Sequence, residues 1–247
     1  MLEVGGVTKR FGGVTAVAEA SLKVPEGRIV ALIGPNGAGK TTLFAVISGF
    51  LAADAGRIRF AGDDIGGLPP HAICARGLVR TFQIVQPFGR LTVRENIAVG
   101  AHLRCAVRTK ALAEAEEVAA RVGLTKRLDQ PAQTLTVAGR KRLELARALA
   151  TRPRLLLLDE VMAGLNPTEI AEIVAIIRRI RDDGVTVLLI EHVMQAVMSL
   201  GDHAYVLNDG RIIAAGTPQA IAADPAVIEA YLGHGAAARL GAPASHG

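Results

Sequence analysis

The stretch from Gly34 to Thr41 decides the fold, and it reads Gly-Pro-Asn-Gly-Ala-Gly-Lys-Thr. It has the form G-x-x-x-x-G-K-[ST], which is typical of a phosphate-binding loop between a strand and a helix. The apolar run Arg28 to Ile33 predicts the strand, and Thr41 to Phe50 predicts the helix. The glycines allow backbone N–H groups and the helix N-terminus to converge on a polyphosphate. These features predict a P-loop α/β core.

The loop side chains have separate predicted contacts. Lys40 is expected to reach the β and γ phosphates, and Thr42 to bond a phosphate from the next helical position. The Thr41 hydroxyl is a predicted ligand of Mg²⁺. The remaining predicted nucleotide-binding residues of the loop are Gly34, Asn36, Gly37, Ala38 and Gly39.

A second group of polar residues follows the apolar run Leu155 to Leu158, which predicts a buried strand of a parallel sheet. Asp159 and Glu160 come directly after it, at the sheet edge where ligands bind in open α/β folds. Asp159 is expected to hold Mg²⁺, and Glu160 to accept a proton from the attacking water or to orient it. The pair therefore predicts metal-assisted hydrolysis at the phosphate loop.

The order of elements along the 247 residues predicts one domain with an insertion. We assign the core to residues 1–83 and 153–233, a helical subdomain to about 84–152, and a flexible tail to 234–247. A strand-helix-strand unit follows Leu155, and Asn208-Asp209-Gly210 predicts a hairpin turn.

Composition excludes several classes of protein. Half of the residues are apolar and 21% are charged, which argues against disorder, and two cysteines cannot build a disulfide framework. The apolar runs fall far short of the roughly 20 residues that cross a membrane. A net charge of +5 without a run of five or more like charges gives no sign of nucleic-acid binding. No signal-peptide core is found at the N-terminus, so we expect a cytoplasmic location.

Residues Leu135 to Leu149 read Leu-Thr-Val-Ala-Gly-Arg-Lys-Arg-Leu-Glu-Leu-Ala-Arg-Ala-Leu. This segment resembles the signature of ABC-type ATPases, and the resemblance covers about residues 2 to 233 with the motifs in the family's order. It implies a P-loop NTPase fold with a RecA-like core, an antiparallel β lobe and a helical insertion. It also implies ATP hydrolysis with Mg²⁺, by two subunits assembled head to tail.

The same resemblance assigns further site residues. Gln83 matches the glutamine that contacts the metal, takes part in catalysis and links the nucleotide to the transporter partner. His192 matches the histidine that contacts the γ-phosphate, and Phe11 matches the aromatic residue that stacks on adenine. Thr136 and Ala138 lie in the signature, which faces the ATP of the opposite subunit in this family.

Several segments resemble one branch of the family, the LivG-type subunits of importers for branched-chain or other hydrophobic amino acids. The most specific is Asp224 to Leu232. The resemblance implies transmembrane permease subunits, a second identical or related ATPase subunit and, indirectly, an extracytoplasmic solute-binding protein. It places the chain at the cytoplasmic face of the inner membrane, held there by the permease.

The signature departs from the usual Leu-Ser-x-Gly-Gln, because Thr136, Ala138 and Gly139 replace serine, glycine and glutamine. The added methyl of Ala138 and the lost amide at Gly139 are expected to weaken closure of a dimer. Val161 replaces a common proline and is expected to be tolerated. Two alternatives remain open at this point: a soluble ABC ATPase without a membrane partner, and a hydrolysis-impaired regulatory subunit.

The segment Phe82 to Phe88 is predicted to receive a cytoplasmic helix of the transporter, with Val85, Pro87 and Phe88 forming an apolar groove. Two aromatic side chains flanking a glutamine-rich loop suggest a recognition surface. The alternative interpretation is that these residues belong to the core.

Overall fold

A computed structural model of the chain describes residues 1–83 and 86–232. Val85 of the predicted groove and the predicted tail 234–247 therefore lie outside the described residues. In chain order the strands are β1 (Leu2–Phe11), β2 (Val14–Val24), β3 (Ile29–Ile33), β4 (Ala55–Phe60), β5 (Asp63–Asp64), β6 (Leu78–Arg80), β7 (Leu155–Asp159), β8 (Thr186–Ile190), β9 (His203–Asn208) and β10 (Arg211–Gly216).

The strands form two sheets. The small sheet is antiparallel, in the order β2-β1-β4-β5. The large sheet has the order β10-β9-β3-β8-β7-β6 and is parallel from β9 to β6, with β10 antiparallel at one edge. This architecture confirms the predicted fold class, an α/β core with an antiparallel β lobe.

The helices cover the large sheet and form a separate layer beside it. Helices α3, α4 and α5 pack on one another inside the stretch for which a helical insertion is predicted. No helix of the described ranges combines the length and apolar character needed to cross a membrane. In chain order the helices are α1 (Lys40–Ile47), α2 (Pro70–Ala75), α3 (Val93–Ala101), α4 (Arg108–Val122), α5 (Val137–Ala150), α6 (Pro167–Asp182), α7 (Met194–Leu200), α8 (Pro218–Ala222) and α9 (Pro225–Leu232).

The large sheet separates two hydrophobic cores, because successive side chains of a strand point to opposite faces. Ile29, Ala31 and Ile33 of β3 join the core under α3 to α7, whereas Val30 and Leu32 join the core shared with α1 and the small sheet. Each fully buried aliphatic side chain stabilises the fold by roughly 1.5–3 kcal/mol. The two cores fix the carboxyl edge of the sheet, where β3 and β7 end.

The structure differs from the sequence prediction at short elements. Strand β6 and helix α2 were not predicted, since β6 has only three residues and depends on pairing with β7. The predicted helix from Thr41 to Phe50 ends at Ile47. The helix ends there because Gly49 has φ +77°, a left-handed conformation that a helix cannot contain. The residue must be glycine, since a Cβ at that position would lie 2.4 Å from Leu68 O.

One buried carboxylate connects the ends of two central strands. Glu191 follows β8 and is fully buried, and its Oε1 accepts a hydrogen bond of 3.1 Å from the Met162 N–H. In the described residues its Oε2 has no hydrogen-bond partner. Burial raises the pKa of Glu191 to about 7; the Met162 N–H opposes this rise and the Glu160 carboxylate adds to it.

The raised pKa of Glu191 predicts that part of the folding stability is lost as the pH rises. Between pH 4.5 and about 7 the unfolded chain releases this proton before the folded chain does, so the free energy of unfolding falls across that interval. Over the whole interval, Glu191 lowers the free energy of unfolding by about 3 kcal/mol. Urea unfolding from pH 5 to pH 8 should therefore show a smaller loss of stability in Glu191→Gln than in the original chain.

Glu229→Gln, at an exposed position, is the matched control for the loss of one carboxyl group. A stability difference between Glu191→Gln and the original chain that stays constant with pH would contradict this interpretation.

Candidate active site

The phosphate loop connects β3 to α1 through glycines that no other residue could replace without displacing backbone. Gly34 has φ +150°, and a Cβ there would lie 2.0 Å from Leu207 O. Gly39 has φ +101°, and its Cβ would lie 2.2 Å from Ala16 O. The Gly210 N–H also donates to Ala38 O, so the hairpin between β9 and β10 supports the loop from outside. The sequence therefore specifies this loop conformation.

Lys40 is the first residue of α1 and is folded back into the loop. Its Nζ donates to Gly34 O at 2.7 Å and to Pro35 O at 2.9 Å. Burial lowers the pKa of Lys40, and the carboxylates of Glu160 and Asp159 act in the opposite direction. Asn36, Gly37 and Thr41 are exposed, Gly39 and Thr42 are partly exposed, and Ala38 is buried.

Asp159 ends β7 and is buried, with only 1% of its side chain exposed. Its Oδ2 accepts a hydrogen bond of 2.7 Å from the Arg80 guanidinium, which is itself 8% exposed. Across the described residues, Asp159 Oδ1 and Arg80 Nε are buried without a hydrogen-bond partner. Burial raises the pKa of Asp159, and the hydrogen bond and charge of Arg80 lower it. Arg80 was not predicted as a site residue.

Glu160 lies beside Asp159 in a left-handed backbone conformation, with φ +49°. Such a conformation is uncommon for a residue other than glycine and is concentrated at functional sites. Its Oε2 accepts a hydrogen bond of 2.7 Å from Gln83 Nε2. The structure therefore brings together Gln83 and Glu160, which lie 77 residues apart in sequence.

Two buried charged residues of α5 connect the helical layer to this site. Lys141 Nζ donates to the carbonyl oxygens of Gln83 and Glu160, each at 3.2 Å. Glu144 Oε1 accepts a hydrogen bond of 2.6 Å from the Phe82 N–H, and burial raises the pKa of Glu144. Both residues lie in the signature segment, but a single sequence gives no sign that these charges are buried.

His192 and Phe11 are exposed on two other parts of the chain. His192 is exposed in the segment between β8 and α7. Phe11 ends β1, is 48% exposed and has Lys9 Nζ 5.6 Å from its ring centroid. The β1–β2 hairpin reaches the phosphate loop, since Ala16 O contacts Gly39. A planar ring in that position is accessible for stacking.

Thr136 and Ala138 lie at the start of α5 and are not among the residues that line the cavity described below. Thr136 is the N-cap of α5, and its Oγ1 accepts a hydrogen bond of 3.2 Å from the Gly139 N–H. Ala138 is 8% exposed, whereas its neighbour Val137 is 46% exposed. A Cβ at Gly139 would lie 3.2 Å from Leu135 Cβ, so a glutamine there would require a small shift. Ala138 therefore keeps only a small exposed surface through which its methyl would meet an opposite subunit.

An open cavity of about 570 Å³ extends from the phosphate-loop helix to α5. Phe82 lines this cavity and is 44% exposed. Two further exposed rings contact lining residues: Phe50, 51% exposed, packs on Phe82, and Phe88, 48% exposed, lies under the Arg147 guanidinium. This exposure rules out the alternative that Phe82 and Phe88 are core residues. The cavity is lined by Thr41, Arg80, Phe82, Gln83, Gln86, Glu144, Arg147 and Asp159.

Comparison with known proteins identifies the family of the chain. The family model described as "ABC transporter" matches residues 17–163, which include the phosphate loop, the signature and both carboxylates. A second model, described as "Branched-chain amino acid ATP-binding cassette transporter", matches residues 211–237. The first match covers more than half of the chain.

Proteins of known name and structure are similar along nearly the whole chain. The high-affinity branched-chain amino acid transport ATP-binding protein BraF of Pseudomonas aeruginosa is 47% identical, over 94% of this chain and 98% of its own length. The corresponding protein LivG of Escherichia coli is 41% identical over the same shares. The crystal structure of an ABC-transporter cassette in its ADP conformation superposes with a TM-score of 0.86 and 33% identity, covering 95% of this chain and 99% of the other.

A nucleotide-free cassette of an ABC transporter superposes with a TM-score of 0.85 and 32% identity, covering 93% of this chain and 97% of the other. The phosphate loop and the Asp159–Glu160 pair thus occur within a fold and a sequence that match this family over most of the chain. The chain belongs to the ATP-binding subunits of ABC transporters and is an ABC-type ATPase.

Proposed function

We propose that this chain powers an importer for branched-chain or other hydrophobic amino acids. The observation that carries the proposal is the hydrogen bond from Gln83 to Glu160, because Gln83 directly follows the exposed ring of Phe82. This contact links a hydrolytic carboxylate to a surface that a membrane partner can touch. The relatives named for branched-chain amino acid transport, and the match of residues 211–237, support the substrate class.

The phosphate loop supplies the ground-state binding of ATP in this proposal. The loop N–H groups from Gly34 to Gly39 and the N-terminus of α1 contact the phosphates. Lys40 leaves the carbonyls of Gly34 and Pro35 to bond the β and γ phosphates, and Thr42 bonds a further phosphate oxygen. Phe11 stacks on the adenine ring.

The residues around Asp159 fit a magnesium ion. Asp159 Oδ1 is a buried acceptor without a partner among the described residues, and the Thr41 hydroxyl lines the same cavity. Mg²⁺ prefers oxygen ligands and usually combines one or two protein groups with phosphates and water. Asp159, Thr41 and Gln83 would hold it, and when bound it neutralises charge on the phosphates.

Glu160 orients the attacking water or accepts its proton, since it follows the metal carboxylate by one residue and its Oε2 already accepts a hydrogen bond. Gln83 holds this carboxylate through its amide. His192, exposed after the adjacent strand β8, contacts the γ-phosphate. Donors aimed at the phosphate oxygens stabilise the charge that develops during transfer.

The active assembly contains two ATPase subunits arranged head to tail, identical or related. Thr136, the Ala138 N–H and the N-terminus of α5 contact the γ-phosphate held by the opposite phosphate loop. Thr136 and Ala138 do not line the cavity of their own chain, which supports this arrangement.

Membrane permease subunits dock on Phe50, Phe82 and Phe88, which we call the docking surface. The chain thereby becomes peripheral at the cytoplasmic face of the inner membrane. A solute-binding protein outside the membrane delivers the amino acid to the permease and contacts this subunit only indirectly.

The Glu160→Gln variant should retain binding of Mg²⁺ and ATP but hydrolyse ATP at least about 100-fold more slowly, because an oriented base contributes roughly 10²–10⁴ to the rate. Phosphate release by the purified variant measures this, with a fluorescent ATP analogue to confirm binding. The exposed Glu3→Gln variant controls for charge removal. Phosphate release near that of the original chain would exclude Glu160 from catalysis.

The Phe88→Ala variant should keep the ATPase activity of the free subunit and lose the stimulation produced by the permease in proteoliposomes. Phe88 is 48% exposed, and the Arg147 guanidinium carbon lies 4.9 Å from the centroid of its ring. Because the ring is outside the core, its truncation leaves the core intact. Ile213→Ala, at the opposite edge of the large sheet and 38% exposed, is the control. Normal stimulation of Phe88→Ala by the permease would contradict the assignment of the docking surface.

The Ala138→Gly substitution, made in the hydrolysis-blocked Glu160→Gln chain, should tighten ATP-dependent dimerisation by about fivefold or more, as expected for a gain of about 1 kcal/mol. Sedimentation velocity with Mg²⁺ and ATP measures the dimer. The glycine itself costs helix stability, so Ala113→Gly at an exposed position of α4 is the matched control. Equal dimerisation of the two variants would show that the methyl of Ala138 has no effect.

A further inference from the structure

The Arg80 side chain contacts both the candidate metal site and the docking surface. One contact is the ion pair to Asp159, in which both side chains are at least nine-tenths buried. The other is with the docking surface, because the guanidinium carbon lies 5.4 Å from the centroid of Phe82 and 6.0 Å from that of Phe50. One side chain therefore touches both the candidate metal carboxylate and the aromatic surface.

The aromatic contacts are specific in their geometry. The rings of Phe50 and Phe82 are 5.4 Å apart and meet edge to face, at an interplanar angle of 89°. A guanidinium placed over such rings is attracted by their negative faces, and this attraction grows when the cation is withdrawn from water. Any movement of the Arg80 head group would change the environment of both rings.

In the ion pair of Arg80 with Asp159, each side chain keeps one polar atom without a hydrogen-bond partner among the described residues. Asp159 Oδ1 and Arg80 Nε are buried and lack hydrogen-bond partners within the described part of the chain. A buried carboxylate requires a counter-charge, and Arg80 supplies it when no metal is present. A divalent cation bound at Asp159 would supply that charge instead and would repel the guanidinium across a short distance.

We propose that Arg80 is a positioning residue that exchanges its contact with Asp159 for closer contact with the docking surface when a divalent cation and nucleotide bind. This inference rests on the proposed function, in which Asp159 holds Mg²⁺ and the docking surface receives the permease. Occupancy of the nucleotide site is thereby transmitted to the surface that contacts the membrane partner. The exchange makes no covalent change and needs no other reactant.

The experiment uses a single tryptophan as the reporter, since the chain has none. In Phe50→Trp, the indole replaces a ring that lies beside the Arg80 guanidinium. The chain is loaded with ADP in EDTA, and Mg²⁺ is then added while emission is recorded. The expected result is a change in emission that saturates with Mg²⁺ and is lost in the Arg80→Met background.

Arg147→Met is the matched control, because Arg147 also lies over an exposed ring, that of Phe88, but makes no hydrogen bond to Asp159. It should keep the Mg²⁺-dependent emission change. Should Arg80→Met not fold, Arg80→Lys takes its place, and its emission change should be smaller, because an ammonium lacks the flat face of a guanidinium. A full emission change in either Arg80 variant overturns the inference.

The affinity of the chain for Mg²⁺ is a second, independent measurement, and the proposal predicts the direction in which it changes. If Arg80 and the metal compete for Asp159, Arg80→Met should bind Mg²⁺ in the presence of ADP more tightly, by about fivefold or more, by the reciprocity of linked equilibria. A role of Arg80 in holding Asp159 for the metal would instead weaken binding, and that result overturns the inference.

Failure of the metal site and failure of the Arg80 exchange give different results. If ADP binds and Mg²⁺ has no measurable affinity for the complex, the proposed metal site at Asp159 is wrong and the inference fails with it. If Mg²⁺ binds but the emission of Phe50→Trp stays constant with Arg80 intact, the metal site stands and the role of Arg80 is wrong.

Discussion

Between β3 and α1 the backbone turns through Gly34 and Gly39 in conformations that leave no space for a side chain. The neighbouring backbone at Leu207 and Ala16 occupies that space, so the loop, the large sheet and the small sheet fix one another. Because this turn places the N-terminus of α1 at the carboxyl edge of the sheet, Asp159 and Glu160 at the end of β7 come to face the same site. The arrangement of the candidate catalytic groups follows from these two close approaches.

The segment around Gln83 is held on two sides. Toward β7, Arg80 bonds Asp159 and Gln83 bonds Glu160, and toward α5 the Phe82 N–H and the Gln83 carbonyl contact Glu144 and Lys141. Buried charged contacts of this kind are costly to leave unpaired, so the segment cannot move without forming replacements. A nucleotide that offers new partners to these groups therefore has a physical means of displacing the docking surface.

The sequence predicted the elements whose signals are local. The loop motif, the run Leu155 to Leu158 and the turn at Asn208-Asp209-Gly210 are all confirmed, since Asp209 and Gly210 have the positive φ of a hairpin turn. It did not predict strand β6, the burial of Lys141 and Glu144, or the pair of Arg80 with Asp159. These depend on contacts between residues far apart in the chain, 79 positions for Arg80 and Asp159, and no local pattern encodes them. The roles of the site residues stay predictions.

Recognition of the nucleotide polyphosphate by the phosphate loop and Lys40 can be measured by isothermal titration with ATP, ADP and AMP in the presence of Mg²⁺. We expect ATP and ADP to bind at least about tenfold more tightly than AMP, a difference of about 1.4 kcal/mol, and Lys40→Met to remove most of this preference. Equal affinity of the original chain for AMP and ATP would show that the loop does not recognise the polyphosphate.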